Sequence, residues 1–253
     1  MPLVFLKHLT GKERTRRTNR QLGFLLAFVA GAINAGGFLA VRRYTSHMTG
    51  IVSAIADDLV LGQIGLVLIG AALLAAFIAG AGTTAVLINW ARGHQMQGEF
   101  ALPVVFEAAL LLVFGLLGAN LDVLVELFVP TTVLLLCFIM GLQNAIVTKI
   151  SMAEIRTTHM TGVVTDLGIE LGRLIYWNRG RRHGGPVRAD RDRLAVLSCI
   201  LGLFLTGGIV GAMAFKAVGY SAVLPIAVLL VAISALPLAA DFKRFLLRRA
   251  PPG

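Results

Sequence analysis

The chain of 253 residues is 57% hydrophobic and only 14% charged, and its mean hydropathy is +0.82. A soluble domain has about a quarter charged residues, so this composition excludes a water-facing globule and predicts a polytopic membrane protein. Long apolar runs predict helices, because a membrane barrel would show short alternating segments. The net charge of +10 comes from basic residues grouped beside the apolar runs, a pattern typical of the positive-inside rule rather than of nucleic-acid binding.

The first half of the chain contains four predicted helical segments, at residues 22–41, 46–61, 64–90 and 102–119. Three of them approach or exceed the length of about 20 residues that crosses a bilayer. Asn34 lies within the first apolar span. The second segment is shorter and more polar, and it contains His47, Thr49 and Asp58.

The second half repeats this order, with predicted segments at residues 131–150, 157–176, 194–218 and 222–240. Asn144 lies in the first of these segments, and His159, Thr161, Asp166 and Glu170 lie in the second. We predict an all-α fold of about eight helical segments, six to eight of them crossing the membrane. Its parts are a first repeat half at 21–119, a second repeat half at 131–241, and basic cytoplasmic tails at 1–20 and 242–253.

Matching strings indicate that the two halves arose by duplication. "TSHMTGIV" begins at Thr45 and "TTHMTGVV" at Thr157; upstream, "FVAGAINA" from Phe28 aligns with "FIMGLQNA" from Phe138. The Asn and the His of each copy are separated by 13 and by 15 residues, so the second copy has gained two residues. An internal repeat of this kind has to be identified before other features are interpreted.

The short polar segments 46–61 and 157–176 leave two topologies open. If all eight segments cross, the halves are parallel repeats; if these two are re-entrant or broken, each half crosses three times and the repeats are inverted. Segment length favours eight crossings, whereas the distribution of basic residues favours six. Both arrangements place the N- and C-termini in the cytoplasm.

The Gly-x-x-Asn span, the "SHMTG" and "THMTG" strings and the overall length resemble the YoaK-like family of bacterial membrane proteins. The resemblance covers most of the chain, from about Gly23 to the last span. It implies a multi-pass protein of the bacterial plasma (inner) membrane. It implies no activity, substrate or site, so the mechanism has to be argued from the residues.

Polar and ionisable groups within membrane spans are costly, and they usually face a protein interior or a water-filled cavity. The candidate ligand- or ion-binding residues are Asn34, His47, Thr49, Asp58, Asn144, His159, Thr161, Asp166 and Glu170. In a helix, each His and the acid 11 residues later share one face, about 16 Å apart. The alternatives are structural: the amides form interhelical hydrogen bonds, and the acids lie at the membrane interface, with Glu170 paired to Arg173.

A second set of candidates consists of small residues suited to close helix packing. These glycines are Gly31, Gly50, Gly141, Gly162, Gly168, Gly172, Gly207 and Gly211. The sequence has no phosphate-binding loop, paired-cysteine site, zinc-protease string or serine elbow, so we predict no catalytic residue, metal or cofactor.

The leading hypothesis is a transporter or permease for a small solute of unknown identity, with the lipid bilayer as its surroundings and no nucleic acid as partner. A homo-oligomer is compatible with the sequence. Two alternatives remain open: a membrane-embedded enzyme that acts on a lipid, and a non-catalytic structural membrane protein.

Overall fold

The computed structural model describes residues 15–41, 44–119, 125–150, 160–176 and 187–249. Within these ranges the chain contains no strand and forms eight α-helices with one short 3-10 turn at Gly219–Ala222. The helices are α1 (Arg16–Val41), α2 (Met48–Val60), α3 (Ile64–Gly93), α4 (Ala101–Ala119), α5 (Val125–Ile150), α6 (Met160–Ile175), α7 (Arg191–Val218) and α8 (Val223–Arg249). The predicted all-α fold of about eight segments is confirmed.

Five stretches are long and apolar enough to cross a membrane: Arg17–Phe38, Ile64–Gly93, Ala101–Ala119, Pro130–Ile150 and Arg191–Arg244. The last one contains both α7 and α8, so six helices belong to these stretches. By contrast, α2 has 13 residues and α6 has 16. At 1.5 Å per residue they are about 20 Å and 24 Å long, less than the hydrocarbon thickness of about 30 Å.

Local sequence explains where the short helix α2 ends. Gly62 has a φ of 72°, a conformation that glycine adopts without steric cost. The amide of Gln63 then donates to the carbonyl of Asp58 at 2.8 Å, which satisfies one of the free carbonyls at the helix end. At the start of α7, the carboxylate of Asp190 accepts a hydrogen bond from the amide of Arg193, an N-cap.

Helix α1 packs against α7 through glycines. The backbone of Phe204 lies where a Cβ on Gly31 would be, and the backbone of Phe28 lies where a Cβ on Gly207 would be. Further along, Gly211 meets the backbone of Ala32 in the same way. From Phe28 beside Gly207 to Ala32 beside Gly211 and Gly36 beside Phe215, the contacts advance by one turn on both helices at each step, so α1 and α7 are parallel.

Helices α3 and α5 form a second close pair. The backbone of Phe138 approaches Gly80, and the backbone of Phe77 approaches Gly141. One turn after Gly80, the Thr84 hydroxyl donates to the carbonyl of Leu142 at 2.9 Å. These two helices are therefore also parallel.

Helices α4 and α8 are antiparallel. Gly118 lies against Tyr220 and Gly115 against Val223, while at the other end the Asp241 carboxylate accepts hydrogen bonds from the amides of Gln97 and Gly98 at 2.7 and 2.8 Å. If all eight segments crossed, α4 and α8 would be the fourth and eighth crossings and would run parallel. The observed register and the short lengths of α2 and α6 fit six crossings, and the choice between six and eight crossings stays a prediction.

Two groups of helix termini meet at one end of the helical bundle: the starts of α1, α4 and α7, and the ends of α3, α5, α6 and α8. The end of α6 lies there because Glu170 contacts Asp190 at the start of α7. The basic side chains at that end are Arg17, Arg20, Arg92, Lys149, Arg173, Arg188, Arg191, Arg193, Lys243 and Arg244. Of the basic side chains that the structure describes, only Lys216 lies at the opposite end. We call the two ends the basic end and the opposite end.

Candidate functional site

After α1 the chain folds back along the helix that it has just left. The ring of Tyr44 stacks on Phe38 with centroids 4.4 Å apart, and the Ser46 hydroxyl donates to the Asn34 side-chain oxygen at 2.6 Å. Asn34 lies seven residues before the end of α1, about 10 Å along the helix axis. Between the end of α1 and the start of α2, the chain therefore runs back along α1 by about 10 Å. We call Asn34 together with residues 44–47 the polar fold-back.

Helix α2 starts at this depth and runs back toward the opposite end. It packs antiparallel to α3, because the side chain of Ile55 lies against Gly70. This register sets the start of α2 beside about Phe77, roughly 20 Å along α3 from its first residue. The first turn of α2, whose free amides carry partial positive charge, therefore lies well away from the opposite end along the helix axis, although no residue of α2 is buried.

The His47 ring lies over the first turn of α2, beside the glycine of the His-Met-Thr-Gly string. A Cβ on Gly50 would lie 2.5 Å from His47 Nδ1, so a larger residue there would require the exposed ring to move. His47 and Thr49 are exposed, and Asp58 is half-buried near the far end of the helix. Gly50 was predicted to pack against another helix, but the atoms closest to its Cβ position belong to His47.

In the second half, Asn144 lies in α5 at a position aligned with Asn34. Its side-chain oxygen is buried and has no hydrogen-bond partner among the described residues, while its backbone carbonyl accepts a hydrogen bond from Thr148 at 2.8 Å. Thr161 is exposed on the first turn of α6. His159 lies outside the described residues, so its predicted role is not addressed by the geometry.

Both predicted acids of α6 form ion pairs with arginines. Glu170, which is 1% exposed, accepts from Arg173 at 2.8 Å and from the amide of Asp190 at 2.9 Å, with Arg193 at 4.0 Å. Asp166 pairs with Arg193 at 2.9 Å. The pairing of Glu170 with Arg173 is the structural alternative expected from the sequence. These carboxylates tie α6 to the start of α7, and their binding of a ligand stays a prediction.

The glycine predictions divide into two groups. Gly31, Gly141, Gly207 and Gly211 form the close helix contacts described above. For Gly168 and Gly172, no described atom lies within 4 Å of the place that a Cβ would occupy, so their packing role stays a prediction. Helix α6 contacts α7 with the face that carries its acids, and these two glycines lie on the other side. Gly162 is half-buried in the first turn of α6.

Comparison with known proteins places the chain in a family. Residues 22–236, most of the chain, match the family described as "Protein of unknown function (DUF1275)". The chain belongs to the DUF1275 family. YoaK-like proteins are members of this uncharacterised family, so the resemblance seen in the sequence is confirmed. No curated protein matches the chain. No solved structure matches it.

The DUF1275 chain also buries polar groups that the sequence patterns did not single out. The side chains of Glu107, Gln143 and Ser234 are 0% exposed and have no hydrogen-bond partner among the described residues. Glu107 could have been found from its setting, since "VVFEAALL" is a single acid within an apolar span. A serine or glutamine in such a span is a weaker signal, because both are common in helix contacts.

Proposed function

We propose that this DUF1275 protein is a transporter for a small polar solute in the bacterial plasma membrane, and not an enzyme. In this proposal six helices cross the membrane, the basic end faces the cytoplasm, and α2 and α6 are half-helices. The single observation that carries it is the polar fold-back: the chain returns along α1 to the level of Asn34, where Ser46 bonds to Asn34 and a new helix begins.

Non-helical backbone at membrane depth is tolerated where it is buried in protein or lines a water-filled cavity. In many transporters, discontinuous helices place their ends and unwound backbone around the substrate near the bilayer midplane. Here the fold-back supplies the Asn34 amide, the Ser46 hydroxyl and the first amides of α2. These groups suit a neutral or anionic polar solute.

Matching contacts support two inverted halves. In the first pair of helices, Gly31 meets Phe204 and Gly207 meets Phe28; in the second, Gly141 meets Phe77 and Gly80 meets Phe138. Gly31 aligns with Gly141 in the repeated strings, and "FIAGAGTTA" from Phe77 aligns with "FLTGGIVGA" from Phe204. Because α1 starts at the basic end and α5 finishes there, the aligned helices run in opposite directions. Inverted halves of this kind are common in secondary transporters.

The orientation follows from the charges. Cytoplasmic loops carry an excess of Lys and Arg, and all but one of the described basic side chains lie at the basic end. With six crossings, both termini lie on that side. The fold-back then opens from the outer half of the membrane.

The test is the reactivity of single cysteines toward a membrane-impermeant maleimide. We would replace Cys137 and Cys199 by alanine and introduce Ser46→Cys or His47→Cys. The control is Ile78→Cys, since Ile78 is 61% exposed on α3 in an apolar stretch and should face lipid. The readout is labelling in right-side-out and inverted membrane vesicles, with and without an imposed proton gradient.

We expect the thiol at position 46 to react at least tenfold faster than the thiol at position 78. We also expect its rate to change with the gradient, because a transporter alternates the access to its site. Rates at position 46 as slow as at position 78 from both sides would show that no water reaches the fold-back. The proposed function would then be abandoned in favour of a purely structural role.

A further inference from the structure

Glu107 is the most unusual ionisable group among the described residues. It lies six residues into α4, about 9 Å along a helix whose 19 residues span about 28 Å. Its side chain is fully buried, and neither carboxyl oxygen has a hydrogen-bond partner within the described part of the chain. An isolated carboxylate without a partner in an apolar interior is very costly, whereas the neutral acid costs far less.

The elements packed against α4 carry seven described titratable side chains: Arg92 of α3, Cys137 and Lys149 of α5, Tyr220 of the 3-10 turn, and Asp241, Lys243 and Arg244 of α8. Lys149, Lys243 and Arg244 lie at the basic end. Arg92, at the end of α3, is paired with Glu99 at 2.7 Å. Asp241 contacts Gly98 and Tyr220 contacts Gly118, each about three turns of α4 from Glu107. No ion pair with Glu107 is formed by any described residue.

A second unpartnered polar group lies on the neighbouring helix. The register of α4 and α8 sets Glu107 opposite about Leu230, so Ser234 is about one turn further along α8. Its hydroxyl is also fully buried and has no hydrogen-bond partner among the described residues. Neither Glu107 nor Ser234 forms a hydrogen bond with a described residue that would stabilise the contact of α4 with α8. Two such buried polar groups at one helix contact indicate a site that is used in another state of the protein.

We propose that Glu107 is a proton-binding site and that its protonation drives the conformational change of the transporter. This inference rests on the proposed transport function. In the described state the acid is neutral and α4 and α8 are packed together. Release of the proton leaves a charge that the closed contact cannot hold, so α4 and α8 separate and water reaches the carboxylate.

Proton binding is tested first on the full-length protein in membranes with dicyclohexylcarbodiimide. This reagent adds to a carboxylic acid that still holds its proton. Glu170 is the matched control, because it is also buried but its carboxylate is paired with arginines. By mass spectrometry we expect Glu107 to be modified at least tenfold more than Glu170 at neutral pH, with a rate that falls as pH rises. Infrared spectra should show the carbonyl stretch of a buried acid, absent in Glu107→Gln.

Equal modification of Glu107 and Glu170 would overturn the proposal. The proposal would also be overturned if no carbonyl band in the infrared spectrum of the protein disappeared in Glu107→Gln. Glutamine has nearly the same shape as the neutral acid, and we expect the variant to fold, as judged by size-exclusion chromatography. If it does not, Glu107→Asp keeps the carboxyl group and should shift the band rather than abolish it; an unchanged band in that variant would also contradict the proposal.

The link to conformational change is tested with the thiol at Ser46→Cys. Its maleimide rate between pH 6 and pH 8 is normalised to Gln63→Cys, an exposed turn position at the opposite end, to remove the titration of the thiol itself. We expect the normalised rate to depend on pH, and Glu107→Gln to reduce that dependence at least fivefold. A dependence unchanged by Glu107→Gln would contradict the proton proposal and leave the transport proposal standing. A Ser46→Cys thiol that never reacts would contradict the transport proposal, while the carbodiimide result would still decide proton binding.

Discussion

Replacement of Gly31 by alanine is expected to remove most of the folded protein. The backbone of Phe204 occupies the place of the new methyl group, and backbone cannot move aside as a flexible side chain can. Helices α1 and α7 would have to separate along their whole contact. Overpacking of a core usually costs about 1–3 kcal/mol, and for this contact we expect about 3 kcal/mol of unfolding free energy. The measurement is unfolding in detergent, followed by size-exclusion chromatography and circular dichroism.

The chain offers controls for this prediction on the partner helices. Gly202 in α7 and Gly82 in α3 are helical glycines with no described atom within 4 Å of a Cβ position. Alanine at either position should leave stability unchanged or raise it slightly, since alanine favours the helix over glycine. Gly141→Ala, at the equivalent contact of α3 and α5, should be as damaging as Gly31→Ala. A Gly31→Ala protein as stable as Gly202→Ala would show that α1 and α7 are not packed as described.

Loss of the Glu170 carboxylate is the second change with a large expected effect. Glu170→Ala removes one partner of a buried ion pair and leaves Arg173, and the amide of Asp190, without their acceptor. Breaking a fully buried pair costs about 3–5 kcal/mol, but these arginines are about half exposed and can turn to water. We therefore expect a loss of about 2 kcal/mol of unfolding free energy.

Asp166→Ala is the matched control for Glu170→Ala. Asp166 and Arg193 are 41% and 51% exposed, and ion pairs between exposed groups contribute less than about 1 kcal/mol. The same detergent unfolding experiment should therefore separate the two variants by more than about 1 kcal/mol. Equal effects would mean that Glu170 does not hold α6 against α7.

Composition and the length of the apolar runs were sufficient to predict the fold class, because backbone in lipid must form helices or closed barrels and a barrel would show short alternating segments. The number of crossings could not be read from it. Segment 46–61 has enough residues to suggest a span, but residues 44–47 fold back on α1 and Gly62 ends the helix early. That reversal depends on a stacking of Tyr44 on Phe38 and on a hydrogen bond from Ser46 to Asn34, which no periodic pattern reveals.

The candidate site was predicted in part. The repeated strings drew attention to Asn34 and to His47, which do lie at the start of a half-helix. Asp166 and Glu170 looked equally suitable, but their arginine partner Arg193 is more than 20 residues away in the sequence. Glu107 was missed because it lies outside the repeated strings, and only its burial without a partner distinguishes it.

The pairing of α1 with α7 and of α3 with α5 has a consequence for biosynthesis. Each close contact joins a helix of one half to a helix of the other, so neither half contains a complete core. Roughly 170 residues separate Gly31 from Phe204, and at 5–20 residues per second the ribosome needs about 10–30 s to make them. Through that interval the glycine face of α1 must be covered by lipid or by a membrane chaperone. A copy truncated after the first half should therefore be a substrate for membrane proteases, and two halves produced as separate chains should be rescued only when they are made together.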